Sequence, residues 1–254
     1  MTAEKAKTFA ALHVKGNPLV LYNIWDAGSA RAAAEAGAPA LATGSWSVAA
    51  AQGYADGEAI PLDLLETIVS RITATVDLPL SVDFESGYAP EATQVAANVR
   101  RVLKAGGIGI NFEDGFEESR LHPVERQVAC IRAIRAMAES EGVPLFINAR
   151  TDYFLVEGDP AKHAALVPDA IARGLAYAEA GASSFFVPGL SEEKLIAQVC
   201  AAVPLPVNIM AMTRTPPIAR MAELGVARVS YGPGPYRKAM AAITEAARPL
   251  YAGA

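Results

Sequence analysis

AEAGASSFFVP, residues 178–188, reads as the last turn of a helix, a stop at Gly181 and a short buried strand. A glycine at that place enters the left-handed backbone conformation without the Cβ clash that other residues meet. The same phrase returns as AEAGAPALATG at 34–44, LKAGGIGINFE at 103–113 and AELGVARVSYG at 222–232. Between these joints lie further strand-like runs: LVLYNI (19–24), LPLSVDF (78–84), VPLFINA (143–149) and LPVNIM (205–210). Helical segments fill the gaps at 27–36, 61–75, 91–105, 123–141, 161–180, 191–202, 215–224 and 235–248, several opened by Pro or Ser suited to a first turn. An amphipathic helix precedes the first strand. Strict alternation predicts a parallel α/β sheet, and eight repeats predict its closure into a single-domain (β/α)8 TIM barrel over residues 1–254. A doubly wound open sheet is the competing arrangement, but no Gly-rich dinucleotide fingerprint follows the first strand.

Composition narrows the class. A chain of 254 residues fits one α/β barrel, and 52% hydrophobic against 19% charged residues supplies a large core and excludes a disordered chain. A net charge of -5 without any clustered basic stretch argues against a nucleic-acid partner. A small anionic ligand would need local positive charge. Cys130 and Cys200 fall on apolar helix faces, which predicts buried thiols and fits a reducing cytoplasm. The N-terminus alternates charges and has no apolar core of a signal peptide. The 20 uncharged residues between Glu35 and Asp56 are rich in Ala, Gly, Ser and Thr and include Pro39 and Gln52, so no membrane span is expected there.

In such a barrel the chemistry sits at the C-terminal ends of the strands. The strand ends supply Asp26, then Gly44-Ser45-Trp46, Asp83 and Glu85, Glu113 and Asp114, and Asn148, Arg150 and Asp152. The later strands end in Pro188, Asn208 to Met210 and Tyr231, so charge gathers on one side of the mouth. Asp83 and Glu85 are two apart, which predicts that strand alternation turns both inward, with Glu113 beside them on the next strand. Three converging carboxylates repel one another unless a divalent cation intervenes. Oxygen-only ligands suit Mg²⁺ or Mn²⁺ rather than Zn²⁺. The bland alternative is that these acids cap helices or pair with arginines.

Arg150 closes an apolar strand, and its guanidinium either pairs with Asp152 or Glu113 or offers its fork to a substrate carboxylate or phosphonate. The TGSWS turn supplies backbone amides suited to a carboxylate. His122 is the histidine placed near the mouth. The YGPGPYR turn at 231–237 is a weak phosphate-binding candidate.

WDAGSA (25–30), TGSWSVAAAQGYAD (43–56), SVDFESGY (81–88), INFEDG (110–115) and INARTD (147–152) follow one another as in the isocitrate lyase/phosphoenolpyruvate mutase superfamily, a resemblance that runs from about residue 18 to 231. The resemblance implies a barrel that binds Mg²⁺ and a 2-oxo acid or similar dianion. It implies cleavage or formation of a carbon-carbon or carbon-phosphorus bond through an enolate-like intermediate. By it, Asp83 matches the direct metal ligand, and Asp56, Glu85 and Glu113 match ligands that act through water. Ser45 and Trp46 match the positions whose amides hold the substrate carboxylate, with Gly44 and Asn148 beside them, and Arg150 matches the anion-binding arginine. Arg150, Glu113 and His122 are the catalytic candidates. The expected partners are copies of the same chain, as a dimer or tetramer.

Two departures stand out. Lyases of the superfamily carry a Lys-Lys-Cys-Gly-His or related motif after the fourth strand, whereas EDGFEESRLHP (113–123) has neither cysteine nor lysine. Glu118, Arg120 and His122 are the candidates this loop offers instead. Glu85 stands where the superfamily usually has aspartate. A Mg²⁺-dependent lyase or hydrolase on a small 2-oxo or 2-hydroxy dicarboxylate is the leading reading. A catalytically silent metal-carboxylate binder and a mutase- or methylisocitrate-lyase-type activity remain the alternatives.

Overall fold

Each of the four glycine joints becomes a helix end feeding a parallel strand. The computed structural model describes residues 2–116 and 120–252. Its strands are β1 (Leu19–Leu21), β2 (Leu41–Ala42), β3 (Leu80–Asp83), β4 (Gly109–Glu113), β5 (Gly115–Phe116), β6 (Arg120–Leu121), β7 (Phe146–Arg150), β8 (Ser184–Phe186), β9 (Val207–Met210) and β10 (Arg228–Ser230). The helices are α1 (Thr2–Ala11), α2 (Ala27–Glu35), α3 (Ser45–Ala51), α4 (Leu62–Thr75), α5 (Ala92–Lys104), α6 (Val124–Ser140), α7 (Tyr153–Val156), α8 (His163–Glu179), α9 (Glu193–Ala202), α10 (Ile218–Glu223) and α11 (Gly234–Tyr251).

Eight strands form one sheet in the order β1-β10-β9-β8-β7-β4-β3-β2, with parallel neighbours throughout. A parallel bridge between Ile24 and Thr43 joins the two edges and completes the (β/α)8 barrel in a single domain. Alternation sorts the side chains. Val82, Ile110, Phe112, Ile147 and Ala149 face the helices in the main hydrophobic core, while Ser81, Asp83, Asn111, Glu113, Asn148 and Arg150 take the opposite face, toward the barrel axis. A second cluster, built from Ala6, Phe9, Leu19, Leu21, Ala40, Ala42, Ile108 and Phe146, seals the N-terminal end of the barrel beneath α1. Burying a ring such as Phe9 contributes roughly 1.5–3 kcal/mol.

Local chemistry explains where the elements differ from the sequence reading. The TGSWS segment is more than a turn: Gly44 opens α3. Helix α10 begins at Ile218 rather than 215, because Pro216 and Pro217 hold the preceding backbone extended. Gly115–Phe116 and Arg120–Leu121 pair antiparallel as β5·β6, and Glu118 lies outside the described residues. His13 stands just beyond the end of α1, where its Nδ1 meets the Phe9 carbonyl oxygen at 2.8 Å.

Candidate active site

Asp83 ends β3 and is only 9% exposed. Its backbone amide donates to Thr43 Oγ1 at 2.8 Å, and its Oδ2 accepts the Ser45 amide at 2.9 Å. The first turn of α3 therefore aims an N–H at the strand end. Asp83 Oδ1 is buried and has no hydrogen-bond partner.

Glu85 reaches the same mouth by a different route from the expected alternation. The strand stops at Asp83, and Glu85 adopts φ 50, a left-handed turn that brings its carboxylate back inward. Glu58 (φ 60) and Tyr88 (φ 57) share this conformation, which costs non-glycine residues roughly 1–3 kcal/mol each. A clasp holds them. Glu58 donates its amide to Glu85 Oε2 at 2.6 Å, while Glu58 Oε1 accepts from Ser86 Oγ at 2.8 Å and the Tyr88 amide at 2.7 Å. Burial, then the charges of Asp56 and Asp83, push the Glu85 carboxyl up to about 7. Asp56 lies on an exposed stretch of chain, yet its carboxyl is close enough to feel the charges of Asp83 and Arg150. Partial burial and the Asp83 charge raise its pKa, opposed by a hydrogen bond from Ser45.

Glu113 ends β4 next to Glu85, its amide donating to the Glu85 carbonyl at 2.9 Å. Burial lifts its carboxyl well above the usual range, and Arg150 opposes that rise. Arg150 Nη1 lies 2.6 Å from Glu113 Oε2 as an ion pair without the alignment of a hydrogen bond. On its other side, Arg150 Nε and Nη2 donate to the two oxygens of Asp152 at 2.6 and 3.0 Å. Both partners foreseen for this arginine are engaged at once. Asp114, fully buried, accepts from Arg173 Nη1 and Tyr177 and receives the Asp152 amide on Oδ1, which anchors the base of the β5·β6 hairpin.

The remaining candidates divide. Gly44 is the residue before α3, and the Trp46 ring packs 5.9 Å from Tyr236 with the Arg237 guanidinium 4.6 Å above it. His122 stands after β6, its amide bonded to the Asp114 carbonyl and its own carbonyl to Arg173. Burial and the charges of Arg126 and Arg173 bring its pKa down to about 4, so it is neutral at physiological pH. Asn148 is fully buried, with its amide committed to Asn111 Oδ1 and Ser184 Oγ, so it belongs to a polar layer inside the barrel below the mouth. Asp26, read as a mouth residue, caps α2 through Ser29. The amides of Tyr231 and Gly232 are taken by Asn23 Oδ1 at 2.8 and 2.9 Å, so the YGPGPYR turn spends them on the fold.

Among the described residues, no three His, Cys, Asp or Glu side chains converge closely enough to grip a metal ion by themselves. Mg²⁺ does not demand that, since it keeps several waters and often touches only one or two carboxylates. A buried, unpartnered Asp83 Oδ1 with acidic oxygen donors around it fits one direct ligand and a water-mediated remainder.

A parallel barrel with acids, an arginine and helix-end amides at its C-terminal mouth defines a class of barrel enzymes that handle small anions. The chain belongs to the phosphoenolpyruvate mutase family, within the isocitrate lyase/phosphoenolpyruvate mutase superfamily: the family model for phosphoenolpyruvate phosphomutase matches residues 9–251. It is 34% identical over 219 residues to 2-methylisocitrate lyase of Escherichia coli K12, covering 83% of this chain and 71% of that one. It is 33% identical over 247 residues to an uncharacterised protein of Mycobacterium tuberculosis H37Rv, covering 97% and 90%. A crystal structure of a presumptive phosphonomutase from Burkholderia cenocepacia J2315 superposes with a TM-score of 0.94 at 46% identity, covering 98% of this chain and 99% of that one.

Proposed function

We propose that this enzyme is a Mg²⁺-dependent lyase or hydrolase that cleaves a carbon-carbon or carbon-phosphorus bond in a small 2-oxo or 2-hydroxy dicarboxylate. The observation that carries this reading is the buried, unpartnered Asp83 Oδ1 within reach of the electrostatic influence of Asp56, Glu85 and Glu113. Asp83 would be the direct ligand, and the other three acids would act through water. When bound, Mg²⁺ or Mn²⁺ supplies Lewis-acid stabilisation of the negative charge that develops as the bond breaks. Trp46 offers a first-turn amide of α3 to the substrate carboxylate, Ser45 would release Asp83 Oδ2 to add its own, and Arg150 offers its guanidinium. Glu113 can hold a proton beside Arg150, because burial keeps its carboxyl protonated to higher pH than an ordinary glutamate. The names of relatives support the substrate class: 2-methylisocitrate lyase and, at 28% identity over 193 residues, oxaloacetate decarboxylase of Rhodopseudomonas palustris.

A panel of 2-oxo acids with Mg²⁺, followed by pyruvate release, tests the reading. Turnover that disappears in Asp83→Ala together with Mg²⁺ binding supports it; turnover that survives Asp83→Ala refutes the ligand assignment. Tight oxalate binding with no turnover of any substrate would favour a silent binder, the reading that the Cys-free loop at 113–123 favours.

A cytoplasmic location and self-association belong to the same proposal. Cys130 and Cys200 are free and buried, and among the described residues no helix is long and apolar enough to cross a membrane. Helix α11 buries only Pro235, exposes Ile243, Leu250 and Tyr251, and lends Ala239 to a groove of about 690 Å³ also lined by Tyr22, Trp25, Ala32 and Ala36. Sedimentation should show a dimer or tetramer that Ile243→Glu weakens.

A further inference from the structure

We propose that Arg228 is a positioning residue for the mouth: a buried cation on the barrel axis that favours an anion and disfavours a bare divalent cation above it. The inference rests on the metal-and-anion reading of the site.

Arg228 opens β10, is fully buried and points into the barrel. It spans the interior, because β4 lies four places from β10 in a ring of eight and so stands opposite. Across that gap Arg228 Nη2 donates to Asn111 Oδ1 at 3.3 Å, and Nε donates to Ser230 Oγ at 3.1 Å. Asn111 Oδ1 also accepts from Asn148, so the guanidinium is tied into the layer directly beneath Glu113 and Arg150. Nη1 has no hydrogen-bond partner, and among the described residues no carboxylate forms an ion pair with Arg228.

Such an arrangement is unusual, since a buried arginine ordinarily has an acid beside it. Burial draws its pKa down to about 9, and the Asp83 charge resists that fall. The side chain therefore stays cationic at neutral pH, and Asp83 is the acid that feels it. Phe9, whose ring lies 6.0 Å from the guanidinium carbon, and the sealed floor under α1 place low-polarity walls on the other side. Low-polarity surroundings strengthen the field that reaches the mouth. With its hydrogen bonds made only to neutral side chains, the charge itself is left over to act on whatever binds above.

The charge and a purely structural strut make opposite forecasts. Loss of a strut loosens the mouth and weakens every ligand. Loss of a positive charge weakens anions and tightens cations. Calorimetry on the full chain, with Mg²⁺ alone and oxalate alone as probes, separates them. Arg228→Met should bind oxalate about tenfold more weakly, the order expected from one unit charge acting across a protein interior, and should bind Mg²⁺ several-fold more tightly. Arg228→Lys should match the parent protein at pH 6 and approach Arg228→Met as pH rises, because a buried lysine gives up its proton sooner than arginine. A folded Arg228→Met in which both affinities fall, or neither changes, overturns the proposal. If that variant does not fold, Arg228→Lys decides: oxalate binding that parallels the parent at every pH overturns it. A parent protein that takes up oxalate but not Mg²⁺ refutes the metal reading alone and leaves the oxalate arm to judge Arg228. One that binds neither probe refutes both.

Discussion

Arg150 is gripped by Asp152 through two hydrogen bonds on one side and paired with Glu113 at 2.6 Å on the other. Two carboxylates thus compete with any ligand for one guanidinium. An incoming carboxylate is easiest to accommodate when Glu113 carries a proton, and burial pushes Glu113 toward that state.

Removing the guanidinium leaves both acids buried without their cation. Arg150→Ala should destabilise the fold by about 3–5 kcal/mol, the usual cost of breaking a buried pair from one side, read as a shift in the urea midpoint. It should also abolish oxalate binding. A variant with unchanged midpoint would mean that the clasp is weak.

The Glu58 clasp sets the approach of Asp56 and Glu85 to the mouth. Glu58→Ala removes the hydrogen bonds to Ser86 and Tyr88 and leaves an alanine at φ 60. Mg²⁺ affinity should fall about tenfold, with stability lower by about 1–3 kcal/mol. Glu58→Gln keeps an acceptor oxygen and should stay close to the parent protein in both assays.

Gly189 follows β8 at φ 91, and a Cβ there would stand 2.5 Å from the Phe154 carbonyl oxygen. That neighbour is backbone and cannot swing aside. Gly189→Ala should lower stability by at least about 2 kcal/mol through strain and overlap together, measured as a fall in melting temperature.

His13 offers a pH test remote from the mouth. Burial, then the Arg228 charge, lowers its pKa from 6.5 to about 3, so the folded protein keeps it neutral while the unfolded chain protonates it. Its contribution is fully present above pH 6.5 and is lost as pH falls toward 3, by up to about 1.4 kcal/mol per pH unit. His13→Phe should flatten this part of the acid limb in denaturation curves collected between pH 6.5 and 3. An acid limb identical to the parent's would show that His13 does not titrate with unfolding.

Most of the barrel could be read from the chain because four helix-to-strand joints repeat one glycine phrase and each strand is a short apolar run. What escaped was short or depended on distant partners. Helix α3 is hidden in TGSWSVAAA because small residues with no clear apolar stripe read as a turn, and its amide acquires meaning only beside Asp83. Alternation turns Asp83 inward as expected but fails for Glu85, since its left-handed kink is held by Glu58 from another loop and by Tyr88 three residues on. For Arg150 the sequence offers a choice between partners, whereas packing allows both. Arg228 is one cation inside an apolar run, yet VARVSY carries its signal: period-2 alternation sets Arg228 and Ser230 on the face opposite Val229, a core residue.

The pairing of Leu19 with Arg228 joins the first barrel strand to the last. Contacts between such remote parts of a chain are slow to find, since a long loop must close before they can reward it. A barrel without β10 would have an open edge at β1 and no Arg228 beneath its mouth.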